Sequence, residues 1–81
     1  MALTEKSAIK IIEEILNYND YEKIIFVLNK INLSLFKEEF LQEQFKGILV
    51  NMYNVQNAEY IKSLLKEFLR DYYSRKNMHH I

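Results

Sequence analysis

The chain contains no cysteine, no proline and no tryptophan, and its only glycine is Gly47. Without cysteine there is no disulfide framework and no thiolate metal site. A reducing compartment suits such a chain, and the cytoplasm is its expected location. The longest apolar run, residues 24–28, is five residues long, against the roughly 20 that a membrane-spanning helix requires. Glu5 and Lys6 stand near the start, with no apolar stretch leading to a small-residue cleavage site, so no secretory signal is read there. One glycine cannot build a phosphate-cradling loop.

Net charge is also lacking. Eleven basic residues balance eleven acids. The balance hides a gradient: residues 1–61 carry six lysines against nine acids, and residues 62–81 carry five basic residues against Glu67 and Asp71. A general nucleic-acid binder shows a basic excess over the whole domain. This layout fits a protein partner or self-association better.

Apolar residues make up 49% of the chain and charged residues 27%. That composition supports a packed core and argues against a disordered tail. A chain of 81 residues makes one small domain, burying about 60% of its unfolded surface. Scarce breakers and abundant Leu, Ile, Glu and Lys favour helix. Apolar spacing predicts four helices, over about residues 4–17, 20–31, 35–53 and 58–73. Thr4, Asn19, Ser34 and Asn57 are the expected N-caps. Short links imply antiparallel neighbours, so the expected fold is all-α, a compact up-and-down antiparallel four-helix bundle. Residues 1–73 form its single domain, and residues 74–81 are expected to fray.

The first helix buries Ala8, Ile11, Ile12, Ile15 and Leu16. The second buries Tyr21, Ile24, Ile25, Leu28 and Ile31, and the last has the most regular stripe, from Ala58 to Tyr72. Phe26 falls off the second stripe. Either a neighbouring element covers it or it is an exposed anchor for a partner; a third reading makes residues 24–28 a strand. In the third helix Leu41, Phe45, Ile48 and Met52 form the buried stripe, while Phe36, Phe40 and Gly47 form a second ridge. Lys37, Gln44 and Asn51 run between them, and Glu38, Glu39, Gln42, Glu43 and Lys46 lie on the wet side. A helix buried on one side only does not need two apolar flanks.

Gly47 has two readings. After Lys46 it could cap a helix ending there. However, Ile48 and Met52 keep the phase of Leu41 and Phe45, which favours a continuous helix. A glycine inside a helix costs about 1 kcal/mol relative to alanine, so a closely approaching backbone or aromatic ring is expected to offset it.

No catalytic constellation emerges. Adjacent acids on a helix diverge and do not make a paired acid–base site. His79 and His80 lie in the expected tail, too few for a structural metal site. A helix-turn-helix centred on Gly47 would bury Glu43 at its elbow, at considerable cost. No enzyme activity, cofactor or metal is therefore expected. The favoured function is a small protein-binding module, by analogy of size, patchy charge and Lys/Asn/Ile-rich composition a bacterial inhibitor or immunity-type protein that neutralises a toxin or enzyme. Its partner would be another protein, such as a basic toxin or nuclease, and its candidate contact residues are Phe26, Phe36, Glu38, Glu39, Phe40, Glu43 and Gly47. The alternatives are a homo-oligomeric module and, least favoured, a nucleic-acid-associated regulator using the basic segment around Arg70, Arg75 and Lys76. No membrane partner is expected.

Overall fold

A computed structural model describes residues 3–78. It contains α1 (Glu5–Ile15), α2 (Tyr21–Leu28), α3 (Glu39–Asn54) and α4 (Ala58–Met78), with a 3-10 turn at Leu33–Leu35. There is no strand among the described residues, and residues 24–28 are helical. The chain is an all-α four-helix bundle, as its periodicity predicts.

Capping chemistry sets most of the helix starts. At α1, Thr4 Oγ1 accepts from the Ser7 amide at 3.2 Å, and Ser7 Oγ accepts from the Thr4 amide at 2.9 Å. This reciprocal box satisfies two amides that the first turn leaves unpaired. At α2 the cap is Asp20, not Asn19: its carboxylate accepts from the Glu22 amide at 3.0 Å. Asn19 Oδ1 instead accepts from Lys62 Nζ of α4 at 3.4 Å. Asn57 accepts from the Tyr60 amide at 2.9 Å and opens α4 as expected.

Cross-helix contacts fix the arrangement. Glu38, Gln44 and Phe45 meet Arg75, Asp71 and Phe68 in turn, so α3 and α4 run antiparallel. Glu13 meets Tyr73, and Asn19 meets Lys62, so α1 also runs antiparallel to α4. The short α2 lies across the C-terminal end of α3. Tyr21 donates to the Met52 carbonyl, and Tyr53 donates to Asn29 Oδ1.

The largest departure from expectation lies between residues 32 and 38. Ser34 does not cap a long third helix. Asn32 Oδ1 accepts from both the amide and the hydroxyl of Ser34 at 3.0 Å, closing the 3-10 turn. The backbone is then extended at Phe36, and α3 begins only at Glu39. Phe36 therefore does not stand on an outer ridge. It is fully buried, and with Phe45 and Phe68 it forms a ring cluster with centroids 5.1–5.7 Å apart. Tilted and edge-on contacts of this kind add to the burial energy. Two polar bonds hold the connection: the Lys37 amide donates to Glu5 Oε2 at 2.9 Å, and Gln42 Nε2 donates to the Phe36 carbonyl at 2.6 Å.

The remaining core follows the expected stripes, with small shifts. Ile9, rather than Ile11, completes the buried face of α1, while Ile11 and Leu16 are partly buried. Leu41, Phe45, Ile48 and Met52 are all buried, and α3 passes unbroken through Gly47. Residues 74–78, expected to fray, continue α4. The expectations for His79 and His80 lie outside the described residues. Among the described residues, no helix is long and apolar enough to cross a membrane.

Candidate interaction face of α3

The outward side of α3 follows from the inward one. Leu41, Phe45, Ile48 and Met52 occupy positions i, i+4, i+7 and i+11 and face the core. Glu39, Glu43, Lys46 and Val50 repeat the same spacing two residues earlier. At about 100° per residue they fall on the opposite side, and all four are exposed. None of their charges makes an ion pair with another described residue. Phe40, 47% exposed, flanks this stripe, and Val50 is 54% exposed.

Gly47 sits on the flank nearest Phe40. A Cβ built there meets nothing within 4 Å. The expected close approach of a core helix or ring is thus absent, and open space lies where it was sought. The only described side-chain bond to this residue is local: Asn51 Nδ2 donates to its carbonyl at 2.9 Å.

The sequence-selected residues separate into three groups. Glu39, Phe40, Glu43 and Gly47 share α3. Glu38 and Phe40 also meet Arg75, whose guanidinium lies 2.9 Å from Glu38 Oε2 and 4.1 Å from the Phe40 ring centroid. Glu38 is therefore partly spent on an internal pair, unlike Glu39 and Glu43. Phe40, Asp71, Ser74 and Arg75 line a groove of about 300 Å³ beside this contact. Phe26 is on α2 and is 62% exposed, so no neighbour covers it. Lys30 Nζ lies 4.2 Å above its ring. Such a cation–π contact at an exposed site is worth about 0.5–1 kcal/mol. Phe36, deep in the core, is removed from any contact surface.

Sequence reasoning placed Lys46 on the solvated side, as observed, but missed Val50 and Tyr53 as members of an exposed face. The signal was available: the i, i+4, i+7, i+11 spacing of residues 39, 43, 46 and 50 mirrors that of the buried stripe. The seam residue Gln44 turns toward α4, donating to Asp71 Oδ2 at 3.0 Å, while its Oε1 is buried without a partner among the described residues. Lys37 lies outside the helix altogether.

Two arginines of the basic C-terminal segment are engaged, while the Lys76 side chain lies outside what the structure describes. Arg70 lies 3.7 Å from Glu67 and 3.9 Å from Asp71, and Arg75 holds Glu38. Across the other α4 interface, Tyr73 donates to Glu13 Oε2 at 2.8 Å. That hydrogen bond to a carboxylate, with partial burial and the nearby negative charge, raises the phenol pKa above its usual value of 10.0. Among the described residues, no group of three or more His, Asp or Glu is placed to hold a metal ion.

Comparison with protein families, curated proteins and solved structures gave no match for this chain.

Proposed function

We propose that this protein is a non-catalytic protein-binding module whose contact surface is the outer face of α3. Its partner presents a basic surface. The observation that carries this reading is that Glu39 and Glu43 are exposed, have no ion partner among the described residues, and stand beside exposed Phe40 and Val50. Acids of this kind steer a basic partner toward the face and raise the rate of encounter. Exposed apolar side chains supply area that is covered once contact is made. An inhibitor or immunity-type protein acting in a bacterial cytoplasm, and covering the basic substrate groove of a nuclease or toxin, would use such a face. Size, absence of cysteine and composition support that assignment by analogy.

A nucleic-acid role draws less support, because Arg70 and Arg75 are engaged by acids of the same chain.

The test is affinity capture from the source cells with the wild-type protein and Glu39→Lys/Glu43→Lys as parallel baits. The reading expects a basic protein captured by the first and depleted at least tenfold from the second, with circular dichroism unchanged. Equal recovery by both baits would remove the α3 face from the contact.

A further inference from the structure

The outer stripe of α3 is complementary to itself. Residues 39, 43, 46 and 50 form a palindromic spacing: a two-fold axis crossing α3 between Gln44 and Phe45 maps 39 onto 50 and 43 onto 46. Two copies packed antiparallel through this face would set Glu43 of each against Lys46 of the other. Glu39 would lie at the level of Val50. We propose that the α3 face pairs in this way with a second copy of this chain. The inference rests on the reading of the α3 face as the contact surface, and commits that face, in the isolated protein, to a second copy of this chain.

Further observations favour a second copy. Glu43 and Lys46 are both exposed and form no ion pair with each other or with other described residues. Their charges are therefore available across an interface. The formal net charge is zero, so no long-range repulsion opposes association. Gly47 lies beside the Lys46–Glu43 level with open space where a side chain would be. A helix axis can approach more closely there than over any residue with a Cβ. The exposed faces of Phe40 and Val50 border the same line and would be covered by the pairing. Antiparallel α3 helices also oppose their dipoles favourably.

The experiment is sedimentation velocity at low ionic strength over a concentration series, using wild type, Glu43→Lys, Lys46→Glu and an equimolar mixture of the two variants. Wild type should show reversible dimerisation. Each variant alone places like charges across the two-fold and should weaken the dimer about tenfold. The mixture restores both opposite-charge pairs and should dimerise close to wild-type strength. A wild type that stays monomeric throughout would overturn the proposal, and so would variants that dimerise unchanged or a mixture that stays as weak as its components. These failures differ from failure of the α3 contact reading, which is decided by loss or retention of a captured basic protein.

Discussion

Helices α3 and α4 lie side by side and bury similar apolar stripes, but they treat their charges differently. On α4, Glu59 pairs with Lys62 at 3.1 Å, and Arg70 lies near both Glu67 and Asp71. The Glu59–Lys62 and Glu67–Arg70 pairs sit three residues apart, a spacing at which helical side chains meet. On α3, Glu39 and Glu43 are like charges four apart, which is mildly unfavourable. Its interior holds the one glycine. Its N-cap, Glu38, makes no side-chain cap bond. It also exposes Phe40 and Val50. Only Glu39, in the first turn, gains from the helix dipole. One helix is locally self-consistent, while its neighbour departs from local rules along one face. Departures of this kind concentrate where a surface serves something other than the stability of its own domain.

The largest expected effect separates the inside of the molecule from this outer face. Phe36→Ala removes one of three clustered buried rings and should cost about 3–5 kcal/mol. Phe40→Ala, half exposed on α3, should cost under about 1 kcal/mol. Urea denaturation of both variants measures the contrast. Similar losses would mean that Phe40 belongs to the core.

Gly47→Ala sharpens the comparison from the other side. With open space around the added methyl, it should stabilise the isolated domain by up to about 1 kcal/mol. Thermal unfolding at low protein concentration is the check, and a lower midpoint would reveal a close neighbour after all.

The smallest effect concerns the inner edge of α4. The Tyr73 hydrogen bond to Glu13 raises the phenol pKa in the folded state. Its contribution is fully present below pH 10, where both states keep the proton. It fades as pH rises through the elevated folded value, because the unfolded chain ionises first. The stability difference between wild type and Tyr73→Phe should therefore be constant near neutrality and shrink above about pH 10. A difference that widens in that range would contradict the assigned hydrogen bond.

Much of this architecture is legible in the sequence because capping and periodicity agree. Thr4 and Asn57 mark the starts of α1 and α4, and the phase shared by Leu41, Phe45, Ile48 and Met52 carries α3 through Gly47. Legibility fails where two signals compete. Asn32 and Ser34 are both good caps, and the apolar residues at 33, 35 and 36 can be read as a helical face. The 3-10 turn uses Asn32 and sends Phe36 inward. The end of α4 is misjudged for a different reason. Arg75 breaks the apolar stripe, yet a helix can outlast its buried face when its charge finds a tertiary partner, here Glu38. The acidic part of the candidate face is readable from helical spacing, which sets Glu39 and Glu43 opposite the apolar stripe. That Glu38 is engaged while Glu39 and Glu43 are not depends on where α4 passes, which no local pattern encodes.

The contrast between the two helices can be tested by reversing matched charges on each. Glu59→Lys/Glu67→Lys breaks the internal pairs of α4, and Glu39→Lys/Glu43→Lys reverses the unpaired acids of α3. The deciding measurement is capture of the proposed basic partner by these two variants side by side, with unfolding free energy recorded for each. The account predicts that the α4 variant loses more stability than the α3 variant, because Glu59 is the ion partner of buried Lys62, and captures normally. The α3 variant should stay within about 0.5 kcal/mol of wild type while capture falls more than tenfold. Capture that follows the α4 charges, or ignores the α3 charges, would contradict it.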